Sequence, residues 1–132
     1  MQTLILKGFT EDNSSTEGGH VLLTFRVEGS GVLRPGEHHV EGRHKEARRA
    51  VGNAVGRMFG IHPDDITVIK DAFTDHAYEL ELALKTEAWI KNGKSTTPRD
   101  PRQHPIETIV SGFLAALQNA QHDERPVRRR AL

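Results

Sequence analysis

Histidine is the most conspicuous reactive side chain in this sequence, with eight in 132 residues. His38, His39 and His44 cluster around one turn, and His104 opens a later helical segment. Imidazole nitrogen suits zinc, copper or nickel. However, no His-Glu-x-x-His or other paired-ligand spacing is present, and there is no cysteine to complete a site. The simpler reading is that these histidines lie on the surface or cap turns, so no metal is expected. Two carboxylate pairs, Asp64-Asp65 and Asp71 with Asp75, have the composition that general acid–base work needs. The first pair belongs with the Pro63 turn, and Asp75 is expected to cap a turn before Ala77. Ser14, Ser15 and Ser111 lack the strand–turn–helix context of an activated nucleophile. Ser111 lies beside a helical apolar stripe and is expected to be packed or bonded to backbone. No catalytic residue, and no enzyme, is predicted.

Charge narrows the partners. Lys+Arg and Asp+Glu both number 18, so the formal net charge is zero. No global field draws the chain to nucleic acid or an anionic membrane. The exception is the run Arg125-Pro126-Val127-Arg128-Arg129-Arg130, read as a basic, flexible, solubilising tail. A nucleic-acid-associated role through that tail ranks second. Aromatics are only 5%, and no Lys/Arg-Gly-Phe pattern of an RNA-binding sheet is present. No apolar run approaches the roughly 18 residues that span a bilayer, and the start lacks a basic signal region. The absence of cysteine fits a reducing, cytoplasmic setting.

The elements that position these groups follow from hydrophobic period. Residues 3–10 read as a strand, and 11–19 as a polar loop. Val21, Leu23, Phe25 and Val27 alternate with Leu22, Thr24, Arg26 and Glu28, the pattern of a half-buried strand. Arg34-Pro35-Gly36-Glu37 reads as a turn and His38–Glu41 as a short third strand. Ala47, Ala50, Val51, Ala54, Val55 and Met58 then form a helical stripe, closed by Gly60 and Pro63. Gly52 and Gly56 within it point to close packing. The second half repeats the order. Residues 66–73 are a strand, and Tyr78, Leu80, Leu82 and Leu84 alternate. Trp89-Ile90-Lys91-Asn92-Gly93 parallels Val32-Leu33-Arg34-Pro35-Gly36. Residues 94–103 read as a loop. Ile106, Ile109, Val110, Phe113, Leu114 and Leu117 step through a second stripe with the spacing of the first. Thr3-Leu4-Ile5 to Phe9-Thr10-Glu11 also matches Thr67-Val68-Ile69 to Phe73-Thr74-Asp75. Order and spacing together indicate an internal duplication. Tyr78 and Trp89 fall on the apolar phase and are expected in the core; exposure of Trp89 would mark an edge or a dimer face.

The expected fold is α+β, with two tandem βββα-like units related by a pseudo-twofold and helices on one face of the sheets. Residues 1–122 form a single domain of two units, about 3–60 and 66–120, and 123–132 the basic tail. This organisation resembles the C-terminal regulatory domain of 2-isopropylmalate synthases and citramalate synthases, over about residues 3–120. The family enters its first helix through Gly-x-Gly-Pro-x-Asp-Ala; here Val40-Glu41-Gly42-Arg43-His44-Lys45-Glu46-Ala47 keeps the first Gly, with His44 at the second Gly and Lys45 at the Pro. Its Gly-Thr-Asp-Ala corresponds to Phe73-Thr74-Asp75-His76-Ala77. Its last helix entry corresponds to His104-Pro105-Ile106-Glu107, and its Ala-Leu end to Ala116-Leu117. The resemblance implies a non-catalytic regulatory or small-ligand-binding module that forms a homodimer, binds an amino-acid-like effector and acts on a synthase-type enzyme. The chain has no room for the synthase barrel. No cofactor is implied. The ligand-binding residues it suggests are Gly42, His44, Ala47, Thr74, Asp75, Ala77 and His104. His44 and His104, at the two helix starts, would share an anion-binding pocket if a dyad brings them together. A structural dimerisation module is the remaining alternative.

Overall fold

The computed structural model describes residues 2–12 and 19–128. The core of the predicted polar loop, Ser14 and Ser15 with it, and Arg129 and Arg130 of the tail lie outside the described residues. The chain is α+β and divides into two compact units, Met1–Ile61 and His62–Leu132.

In the first unit, β1 (Thr3–Asp12), β2 (Gly19–Glu28) and β3 (Gly36–His44) form an antiparallel sheet in that order, followed by α1 (Ala47–Met58). Alternation in β2 decides which face is covered. Val21, Leu23, Phe25 and Val27 are buried against the helix side, while Leu22, Arg26 and Glu28 are exposed. Burying each of those four side chains is worth roughly 1.5–3 kcal/mol. The α1 stripe meets them with Ala50, Val51, Ala54, Val55 and Met58, all buried. Gly52 and Gly56 are buried too. The helix ends as its sequence predicts. Gly60 takes φ +73°, the Gly60 N–H donates to Arg57 O at 3.0 Å and the Ile61 N–H to Gly56 O at 2.9 Å. This pair of bonds is the left-handed glycine cap that satisfies the last carbonyls.

In the second unit, β4 (Ile66–Phe73), β5 (Ala77–Lys85) and β6 (Trp89–Pro98) are again antiparallel neighbours, and α2 (Pro105–Gln121) follows. Tyr78, Leu80, Leu82 and Leu84 are buried on the helix side beneath Ile106, Ile109, Val110, Phe113, Ala116 and Leu117. A single 3-10 turn, Pro63–Asp65, precedes β4 and absorbs the Asp64-Asp65 pair.

Several sequence expectations are corrected. The third strands are longer than their apolar content suggested. β3 runs to His44, so His44 belongs to a strand and α1 begins only at Ala47. β6 takes in Lys94–Pro98, which had read as loop. Its helix-facing residues are small or polar: Gly93 packs on α2 backbone, and the Ser95 hydroxyl donates to Gly112 O at 2.8 Å. A strand whose inward residues are Gly and Ser shows no hydrophobic alternation. The expected loop residues Glu11, Asp12 and Gly19 are strand. Within the segment expected to be a flexible tail, Val127 and Arg128 form β7, pairing with Ile90 and Trp89. Ser111 is exposed rather than packed. Trp89, expected in the core, is 42% exposed at this edge. Among the described residues, no helix is long and apolar enough to cross a membrane.

Candidate functional site

The second unit holds a cavity of about 460 Å³, lined by Phe73, Asp75, Arg99, Asp100, Pro101, Gln103, Pro105 and Thr108. Three local structures build it. The first is the β4–β5 turn. Thr74 closes it: its N–H donates to Ala77 O at 2.8 Å, and its hydroxyl oxygen accepts from the Ala77 N–H at 3.0 Å and the His76 N–H at 3.3 Å. Thr74 therefore does the capping that the sequence assigned to Asp75. Asp75 is left as an exposed carboxylate on the cavity wall.

The second is the β6–α2 connection. Asp100 folds it by accepting from the Arg102 N–H at 2.9 Å, and the Gln103 N–H donates to Asp100 O at 2.9 Å. An Asp side chain that bonds backbone two residues on is a standard way to fix such a turn. Arg99 ties this connection to the first turn. Its N–H donates to His76 O at 2.9 Å, and its Nη1 donates to Thr74 O at 2.8 Å. The guanidinium also lies over the Phe73 ring, 5.1 Å from the centroid. That placement is a cation–π contact. It fixes a cation on the wall opposite in sign to Asp75.

The third is the start of α2. The Nδ1 of His104 accepts from the Ile106 N–H at 3.1 Å, and Pro105 occupies the first helical position. Behind these walls, Phe73 packs on Tyr78 with ring centroids 4.6 Å apart. Tyr78 is fully buried, and it reaches the helix because residue 112 is glycine: a methyl there would come within 2.8 Å of the Tyr78 ring. The cavity thus has an aromatic base, a carboxylate and a guanidinium on its walls, and a helix start at its margin. Such a lining offers complementary charge and shape to a small polar molecule.

The sequence-derived site residues separate into two groups. Asp75 lines the cavity; Thr74, Ala77 and His104 belong to the two turns that frame it. Gly42, His44 and Ala47 lie in the first unit and do other work. Gly42 is buried with α1 against it: a methyl there would fall within 2.6 Å of Ala54 N. Its own helix fills the space expected for a ligand. The Nδ1 of His44 accepts from the Glu46 N–H at 3.0 Å, and Ala47 opens α1. His62 makes the same bond to the Asp64 N–H at 3.1 Å. Three histidines are therefore backbone caps. His38 Nε2 donates to Arg34 O at 2.6 Å, and His39 bonds Thr24 at 3.1 Å. Among the described residues, no group of three metal-ligating side chains converges.

Arg99, Asp100 and Gln103 were missed because they sit in what read as a plain loop. The available signal was the spacing of Pro98, Pro101 and Pro105 around them, which restricts the backbone at both ends of a charged connection. Compared with known protein families, curated proteins and solved structures, the chain matches none.

Proposed function

We propose that this chain is a non-catalytic regulatory module that binds a small amino-acid-like effector, acting as a homodimer on a synthase-type enzyme in the cytoplasm. One observation carries the reading: the second-unit cavity presents a fixed cation and a carboxylate, Arg99 and Asp75, beside an aromatic surface. A zwitterion with an apolar side chain uses all three, since its carboxylate meets the guanidinium, its ammonium the carboxylate and its side chain Phe73. The likeness of Thr74-Asp75-His76-Ala77 to the family's Gly-Thr-Asp-Ala segment supports the same location. Calorimetry of the purified protein with leucine, isoleucine and the matching 2-oxo acids tests it. Saturable heat with the amino acids, weaker with the oxo acids that lack the ammonium, is expected. No heat from any of them at millimolar concentration overturns the effector reading.

A further inference from the structure

The two units share a contact set that the sequence stripes did not reveal. In the first, Gly42 packs on the backbone of Ala50 and Ala54, and Asn53 Nδ2 donates to Arg43 O at 3.0 Å. In the second, Gly93 packs on Ala116 and Ala120, and Asn119 Nδ2 donates to Lys94 O at 2.7 Å. A strand Gly-(Arg/Lys) meets a helix Ala-x-x-Asn-Ala in both. This lock gives each unit its own internal reference point. By it Ala50 corresponds to Ala116, not to Ile109 as the apolar stripes suggested, a shift of about two helical turns.

Measured from the lock, the units differ on both sides. Toward the third-strand start the first ladder runs on to Val27 and Gly36, while the second stops at Lys85 and Ile90 and adds β7. Toward the helix start the second unit is the longer. In the first, Gly42 pairs with Val21, β2 begins just beyond at Gly19, and β3 ends at His44. Only Lys45 and Glu46 connect it to α1, which starts at Ala47, inside one turn of Ala50. In the second, Gly93 pairs with Leu82, and the ladder continues to Ala77 and Pro98. Residues 99–104 make the connection, and α2 starts at Pro105, about three turns before Ala116. Every residue lining the cavity belongs to this added part: the end of β4 with the β4–β5 turn, the connection and the first turn of α2. Four of the lining residues, Arg99, Asp100, Pro101 and Gln103, come from the connection alone. Two residues at the matching place in the first unit, with His44 bonded to the Glu46 N–H, supply no such wall among the described residues.

We infer that the ligand site is confined to the second unit, built on its extension past the lock, and that each chain takes up one ligand. The inference rests on the effector reading above and adds location and stoichiometry to it. The first unit keeps the lock and the sheet, and among its described residues no such connection wall is built. The full chain, 15N-labelled, is titrated with leucine and isoleucine, and backbone amide shifts are followed alongside calorimetric stoichiometry. Shifts clustered on residues 73–77 and 99–108, with one equivalent per chain, are expected. Asp75 is exposed, so Asp75→Asn leaves the fold intact and weakens binding by about tenfold or more. Shifts centred on 42–47, two equivalents per chain, or undiminished binding by Asp75→Asn overturn the inference while leaving the effector reading standing. Absence of any shift overturns both.

Discussion

The α-carbon of Gly42 in β3 lies directly on the backbone of Ala50 in α1, so close that a side chain at residue 42 has nowhere to go. The neighbouring atom is backbone, and backbone of a packed helix cannot swing aside as a side chain can. Gly93 stands in the same relation to Ala116, and a methyl there would also fall within 2.7 Å of Ala120 N. Neither glycine has positive φ. Close approach, and not turn geometry, is what requires them.

Gly42→Ala and Gly93→Ala should therefore each destabilise the protein by about 2 kcal/mol or more, the cost of overpacking a rigid interface. Gly8→Ala is the control: it too is a strand glycine, but a methyl there meets nothing within 4 Å. Its effect should stay within about 1 kcal/mol. Urea denaturation followed by circular dichroism measures all three. Equal effects at residues 8, 42 and 93 would remove close packing as the explanation.

The asparagines of the lock make a separate, smaller prediction. Asn53 and Asn119 each satisfy a carbonyl on the third strand of their sheet, from a helix. Replacement by Ala should cost about 1 kcal/mol each, the usual net value of one such bond. Asn→Asp at either place turns the donor into an acceptor facing a carbonyl and should cost more than Ala. The same denaturation series orders the variants.

These residues also show where the sequence was readable. The strands β1, β2, β4 and β5 and both helices follow from period, because large apolar side chains mark their buried faces. β6 does not, since Gly93 and Ser95 face the helix with almost no apolar volume. The stripes and the glycine–alanine contacts pair the two halves differently for the same reason. Leu, Ile and Val stripes recur every turn and can be matched at several offsets, whereas Ala-x-x-Asn-Ala occurs at 50–54 and 116–120 and fixes one. Close backbone contact is made by residues with little side chain, which carry little weight in a hydrophobic pattern. Of the cavity, only Asp75 and its framing turns were legible. Arg99 owes its place to hydrogen bonds with Thr74 and His76, distant in sequence, and nothing local announces them.

Asp123 holds the chain after α2 on the edge of β6. Its carboxylate accepts from the Asn92 N–H at 3.0 Å and the Arg125 N–H at 2.9 Å. The Asn92 bond above all, and then the Arg125 bond, keep this carboxyl below the ordinary aspartate range. A folded pKa below the unfolded one stabilises the protein above the unfolded pKa, and that contribution disappears as pH falls through the folded value. Wild type should thus lose its stability advantage over Asp123→Asn on acidification below roughly pH 4. Denaturation midpoints of both proteins across the acid range check this. A constant difference at every pH would show that the carboxylate charge is not what holds the segment. Glu41, lowered chiefly by its hydrogen bond with His20, contributes in the same direction. Glu41→Gln therefore belongs in both backgrounds.

Arg99 makes the sharpest prediction, because its side chain joins the turn, the ring and the cavity at once. Nη1 donates to Thr74 O, and the same guanidinium lies over Phe73. Arg99→Ala removes both contacts and should cost about 1 kcal/mol of stability, modest because the residue is exposed. If the cavity takes the proposed effector, loss of its binding should be far larger, since the cation proposed to meet the effector carboxylate is gone. Arg99→Lys retains charge but not the planar fork that serves carbonyl, ring and ligand together. It should restore stability in part and affinity poorly. Amide exchange at Ala77, whose N–H is held by Thr74, reports the turn, and calorimetry reports the ligand. If Lys restored affinity fully, the guanidinium geometry would be irrelevant and the site would need only a positive charge. If Ala left affinity unchanged, Arg99 would be a structural clamp and the effector would sit elsewhere.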